Sequence, residues 1–171
     1  SLVISYIWEL PFPKGQGFSK LFEGWSMQGV TSFQDGPALG VSQSNNTTFS
    51  QGATLRPNRS SQYPGLGGAV TVDRWFDTSV FTAPPPYTFG SSPRIISSLR
   101  GDGTRNFDVA FAKKTRIKEK YTFEFRAEFF DIFNSPRFQV PDTNFSSSAF
   151  GRASVQINKP RTIQFALKFV F

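Results

Sequence analysis

The 171-residue chain has no cysteine and no histidine, and methionine occurs once. Without cysteine there is no disulfide scaffold, no thiolate metal site and no thiol nucleophile. Without histidine neither a Ser-His-Asp triad nor a His-based zinc site can be built. No stretch of 18 apolar residues occurs, so no transmembrane helix is expected. The chain begins at Ser1 with no secretory leader. An exported protein carries a leader at its start, so the sequence reads as a fragment, or as a mature chain with its front removed. Acidic residues are fewer than basic ones, 12 against 19, for a net charge of +7. A basic chain rich in aromatics could bind nucleic acid. Here the bases are dispersed and interleaved with acids, as in Phe123-Glu124-Phe125-Arg126-Ala127-Glu128. No nucleic-acid partner is therefore expected.

What is abundant points to β-structure. Phenylalanine occurs 21 times, and glycine and proline together 26 times. Aromatics favour strands, and glycine and proline favour the turns between them. Five segments alternate apolar and polar residues with the period of a strand. They are Leu2 to Phe12, Trp25 to Asp35, Arg105 to Ile117, Glu119 to Asn134 and Thr162 to Phe171. In the first, Leu2, Ile4, Tyr6, Trp8 and Leu10 oppose Ser5 and Glu9. In the second, Trp25, Met27, Gly29, Thr31 and Phe33 oppose Ser26, Gln28, Ser32 and Gln34, with Val30 as an exception. In the third, Phe107, Val109 and Phe111 oppose Asp108, Ala110 and Ala112. The fourth is the clearest: Tyr121, Phe123, Phe125, Ala127 and Phe129 oppose Thr122, Glu124, Arg126 and Glu128. In the fifth, Ile163, Phe165, Leu167, Phe169 and Phe171 oppose Gln164, Ala166 and Lys168, with Val170 as an exception.

A soluble antiparallel sheet alternates in the same way, so the connections have to decide. A tight turn near Lys118 joins segments three and four, and the link from Pro13 to Gly24 joins one and two. The other connections are long: Gly36 to Thr104, and Ser135 to Arg161. The order short, long, short, long is that of outer-membrane barrels, with short periplasmic turns and long extracellular loops. The expected fold is all-β: the last strands of a large antiparallel transmembrane β-barrel with long extracellular loops, an incomplete barrel. Residues 1–171 then form one C-terminal barrel portion, with 36–104 as a long extracellular loop inside it. Five strands is an odd number, whereas bacterial single-chain barrels use even numbers. This is a second reason to expect missing strands upstream.

The loop 36–104 holds seven of the twelve prolines and nine of the fourteen glycines. Irregular structure is expected there, with a short hairpin around Ala38 to Gln43. Phe18, Leu21, Phe22 and Trp25 have helical spacing and predict an interfacial helical turn.

Candidate sites follow from the strand reading. Glu124 and Glu128 are four residues apart, or about 13 Å along a strand. A glycosidase pair needs roughly 5–9.5 Å, and Arg126 lies between them. Glu124, Arg126 and Glu128 are thus expected as lumen-facing charges, not as catalytic groups. No catalytic residue, cofactor site or metal site is expected. Tyr6, Trp8 and Trp25 are expected as aromatics of the membrane interface, where a ring is half apolar and half wet. Arg100-Gly101-Asp102 spells an adhesion tripeptide but reads as a loop turn. Asn46-Thr47-Thr48, Asn58-Arg59-Ser60 and Asn144-Phe145-Ser146 match a glycosylation pattern and read as polar loop sequence.

The stripe Ile163, Phe165, Leu167, Phe169 and Phe171 resembles the terminal signal by which the barrel-assembly machinery recognises outer-membrane proteins. An exposed edge strand can be read by strand addition, with alternate side chains giving specificity.

Longer stretches resemble one family. Val72-Asp73-Arg74-Trp75-Phe76-Asp77-Thr78-Ser79-Val80-Phe81 is similar to a loop segment of Oar-like TonB-dependent receptors, the outer-membrane family with a carboxypeptidase-regulatory-like domain. Arg105-Asn106-Phe107-Asp108-Val109 resembles the opening of one of its strands. The stretch from Phe125 to Phe138, with Asn134-Ser135-Pro136, resembles its penultimate strand and exit. Phe150-Gly151-Arg152 and Pro160 to Phe171 complete the match. One departure is Asp102 in Arg100-Gly101-Asp102-Gly103, where relatives often have proline. The resemblance implies a plugged barrel of about 22 strands in the bacterial outer membrane, importing a substrate. Its implied partners are outer-membrane lipid, the assembly machinery, an upstream plug domain and a TonB-type energy-coupling protein. A barrel for surface adhesion or display, without active transport, is the alternative.

Overall fold

The computed structural model describes residues 1–12, 22–49, 54–61, 64–65, 70–117 and 121–171. Its strands are β1 (Leu2–Glu9), β2 (Trp25–Gln34), β3 (Ala38–Leu39), β4 (Asn58–Arg59), β5 (Phe81–Thr82), β6 (Ile96–Arg100), β7 (Thr104–Ile117), β8 (Tyr121–Phe130) and β9 (Thr162–Val170). A 3-10 turn, Thr78–Val80, precedes β5. The chain is all-β and divides into two compact units.

The first unit comprises 1–34, 104–136 and 159–171. It is one antiparallel sheet in the order β1-β2-β7-β8-β9. Each strand pairs with the next long strand in the chain, so the sheet is a meander broken by two long excursions. The chain leaves it after Gln34 and again after Phe130, and returns at Thr104 and Thr162. All four points lie at one end of the sheet. Among the described residues β1 and β9 are edges, and the sheet is not closed. An open, incomplete barrel is the architecture that the alternation and the connections predict.

Strand ends have local causes. The first segment was expected to run to Phe12 but its strand stops at Glu9. The Leu10 N–H still donates to the Trp25 carbonyl at 3.0 Å. Pro11 then has no N–H to offer the ladder. The fourth segment was expected to reach Asn134 but stops at Phe130. Asp131 and Asn134 both take a φ of 51°, the left-handed region, which Asp and Asn tolerate better than most residues. The Asn134 N–H donates to the Asp131 carbonyl at 2.8 Å, and the Ser135 N–H to the Asp131 carboxylate at 3.0 Å. The expected turn at Lys118, the start of segment four at Glu119, and most of the Pro13–Gly24 link lie outside the described residues. So do Phe18 and Leu21 of the expected helical turn. Within that link, Gly24 has a φ of 76° and its α-carbon lies against the Lys114 carbonyl. A side chain there would collide with backbone, so glycine is needed where β2 begins.

The second unit comprises 35–103 and 137–158. Irregular structure was expected for its larger segment; the structure instead gives it a core. Leu39, Val41, Phe76, Val80, Phe81, Ile96 and Leu99 are buried together, with Trp75, Phe145 and Phe150 packed against them. The expected local hairpin near Ala38 is a long-range pair: β3 joins β6, while β4 joins β5. The isolated β-bridges Gln43↔Leu55, Ser42↔Asn144 and Phe138↔Gln156 add further backbone ties. The sequence hid this core because its apolar residues follow neither the strand nor the helix period. They come from several short segments that meet only after the chain folds.

Candidate functional site

The antiparallel register decides which side chains share a face of the five-stranded sheet, because directly paired residues point to the same side. One row reads Trp8, Met27, Phe111, Ala127, Phe165. The next reads Tyr6, Gly29, Val109, Phe129, Ile163. Phe125 pairs with Leu167, and Phe123 with Phe169. All five apolar stripes therefore fall on one face. Phe165, Leu167, Phe169 and Phe171 are more than half exposed there, Phe171 at 92%.

Ring contacts knit this face across the strands. Trp25 meets Phe125 edge-on at 6.2 Å, and Phe33 meets Phe107 at 5.5 Å. Tyr121 stacks on Phe169 at 5.6 Å and Phe125 on Phe165 at 6.2 Å. Such pairs contribute about 0.5–1.5 kcal/mol each beyond the area they bury. The Lys113 ammonium lies 5.4 Å from the centre of the Trp25 ring. The cation so placed on an apolar face is held by the ring quadrupole. Trp8 and Trp25 lie on adjacent rows near one end of β1 and β2, since Trp8 is opposite Met27. Tyr6 is one row further in, and its ring covers Gly29. A mid-strand glycine leaves a gap that a cross-strand aromatic can fill. The glycine was the signal in the sequence for this contact, which strand periodicity alone does not reveal.

The opposite face is polar. Glu124, Arg126 and Glu128 follow one another along β8. The Arg126 guanidinium reaches Glu128 at 3.4 Å and Glu124 at 4.0 Å. Lys114 on β7 and Lys168 on β9 flank Glu124 in the register. Gln164 donates to Glu128. Each carboxylate thus has a cation or a donor beside it, and Arg126 separates the two glutamates. At the end of this face Asp108 ties β7 to the turn that follows β8. It accepts from Asn106 Nδ2 at 2.8 Å and from the Asp131 N–H at 2.9 Å. Arg161 closes the same corner by donating to the Asn134 side chain at 2.8 Å and to the Ile132 carbonyl at 3.2 Å. Among the described residues no three His, Cys, Asp or Glu side chains gather at metal-binding spacing.

In the second unit two distant stretches of the sequence meet. Phe150 packs edge-on against Phe76 at 5.2 Å and Phe81 at 5.7 Å. The Trp75 N–H donates to the Gly151 carbonyl at 2.8 Å. Arg152 pairs with Asp73 at 2.9 Å. Gly151 has a φ of 83°, and a Cβ there would stand 2.6 Å from the Thr78 methyl. Asp77 caps the 3-10 turn. The Ser79 hydroxyl donates to it at 2.8 Å and the Ser79 N–H at 3.1 Å. These bonds, with the Arg74 guanidinium after them, hold the Asp77 carboxyl below its ordinary value. The Arg100-Gly101-Asp102 tripeptide is bonded within the same unit. Arg100 donates to the Gly36 carbonyl at 3.1 Å, Gly101 to the Pro37 carbonyl at 3.0 Å, and Asp102 accepts from the Phe138 N–H at 2.7 Å.

A meandering sheet with one aromatic, apolar face and one polar face of balanced charge is the wall of a membrane-spanning β-barrel. The chain belongs to the outer membrane beta barrel domain family, whose match covers residues 1–164. Its place is the bacterial outer membrane. No curated protein and no solved structure matches it.

Proposed function

We propose that this chain is part of the barrel wall of an Oar-like TonB-dependent receptor that takes up a substrate across the outer membrane. The observation that carries the reading is the polar face of β8 and its neighbours. Glu124, Arg126 and Glu128 form a ladder of alternating sign, satisfied by Gln164 and flanked by Lys114 and Lys168. A ladder of this kind suits a lumen occupied by water or by a polar plug. The role of the chain is then structural. The apolar face meets lipid, Trp8, Trp25 and Tyr6 serve the interface, and the stripe from Ile163 to Phe171 is the strand read by the assembly machinery. Residues 36–104 lie outside the cell. No catalytic step is assigned to these residues.

The motifs that resemble the receptor family support the same reading, because each has a structural task. The Arg105–Val109 segment supplies Asp108 to the exit turn of β8, and Phe150-Gly151-Arg152 docks on the segment from Asp73 to Phe81.

A barrel for surface adhesion or display is the second reading, favoured by a second unit with a core of its own. The in-frame sequence upstream of Ser1 separates the two. A plug domain with an energy-coupling segment, whose deletion abolishes crosslinking to the TonB-type protein, is the expected result. A frame that encodes no plug rejects uptake in favour of display.

A further inference from the structure

Unit 2 contains a cavity of about 590 Å³ lined, among the described residues, by Gly40, Val41, Ser42, Thr54, Arg56 and Arg94. Its volume is that of a small-molecule site. Two arginines and two hydroxyl-bearing residues give it its polar character, and among the described residues no carboxylate lines it. The five carboxylates of this unit are Asp35, Asp73, Asp77, Asp102 and Asp142. Asp73 is paired with Arg152 and Asp77 with Arg74. Asp102 accepts from the Phe138 N–H and Asp142 from the Asn144 N–H. No ion pair among the described residues involves Arg56 or Arg94.

The backbone beneath both arginines is fixed. Gly40 rests against the Arg94 carbonyl and Gly90 against the Arg56 carbonyl, each so closely that a side chain would not fit. Neighbouring positions anchor the same segments: Leu55 and Ile96 are buried, and the Ser92 N–H donates to the Pro57 carbonyl at 3.1 Å. Two arginines thus line one cavity from closely packed backbone. Guanidinium groups recognise planar or tetrahedral oxyanions through paired N–H donors.

We propose that Arg56 and Arg94 form a binding site for a small oxyanion ligand, one carrying carboxylate or phosphate groups, with Ser42 and Thr54 supplying hydroxyl donors. Binding at this site is separable from transport, so it stands or falls independently of the receptor reading.

The test is calorimetric titration of the full-length protein in detergent with citrate and, separately, with inorganic phosphate. The variants are Arg56→Gln, Arg94→Gln, Arg94→Lys and Arg137→Gln, the last a charge-matched control away from the cavity lining. Heat-modifiable mobility checks that each variant is folded. The wild type should bind at least one probe with Kd below about 1 mM. Either Gln variant should weaken it by about tenfold or more, Arg94→Lys by less, and Arg137→Gln hardly at all. Binding of citrate alone identifies a carboxylate ligand, and binding of phosphate alone a phosphate ligand. Failure of the folded wild type to bind either probe, or binding by both Gln variants as tight as that of the wild type, overturns the proposal.

Discussion

At the scale of single residues, backbone conformation and burial give the sharpest expectations. Gly151 sits at a positive φ with the Thr78 methyl in the space a side chain would need. Gly151→Ala should destabilise unit 2 by about 1–3 kcal/mol, because strain and overlap add. Phe76 is fully buried among Phe81 and Phe150. Phe76→Ala should cost about 3–5 kcal/mol through the cavity it leaves. Pulse proteolysis in increasing urea, followed at cleavage sites within 70–100, reads both; unchanged midpoints would remove the proposed core. Asp77 gives a pH dependence. Its folded value is lowered from 3.8, chiefly by the Ser79 hydroxyl and N–H. Its contribution is therefore complete above pH 3.8 and lost as pH falls from there through the lower folded value. Asp77→Asn should flatten that part of the stability profile, and an identical acid limb in both proteins would show that the cap does not matter.

At the scale of elements, β9 tests which face meets lipid. Leu167 and Ala166 are neighbours in one strand but point to opposite sides of the sheet. Leu167→Arg in the full-length protein should lower folding stability in lipid vesicles by about 2–4 kcal/mol, the cost of a cation near the bilayer midplane. Ala166→Arg should cost much less, since its neighbours are the polar side chains of β8. Equal losses would contradict the assignment of faces. The same strands show how far periodicity carries. The alternation of Tyr121 to Phe129 against Thr122 to Glu128 was legible at once, and the register preserves it. The ends were not legible, because the stop after Phe130 depends on a hydrogen bond from the Asp131 N–H to Asp108 on another strand.

For the whole molecule, orientation can be read by cysteine labelling, since these 171 residues contain no cysteine of their own. Tyr87 is 76% exposed in unit 2, and Phe22 is 57% exposed just before β2. With residues 36–104 outside the cell, Tyr87→Cys should react with an impermeant maleimide on intact cells. Phe22→Cys should react only after the outer membrane is opened. The reverse pattern would invert the direction of every strand.

The sequence alone determined the five long strands and the division of their side chains between two faces. Both follow from a period of two, which depends on nothing outside each strand. The polar ladder of Glu124, Arg126 and Glu128 was legible for the same reason. Tertiary structure decided the rest. Phe76, Phe81 and Phe150 form one core although some 70 residues of chain separate Phe81 from Phe150. Tyr6 covers Gly29 only because the register of β1 and β2 places them opposite each other. Arg56 and Arg94 share a cavity because two glycines let distant backbone segments come into contact. These are non-local contacts between short, aperiodic segments. No local pattern encodes them, because the partner that satisfies each residue is chosen only when the chain closes upon itself.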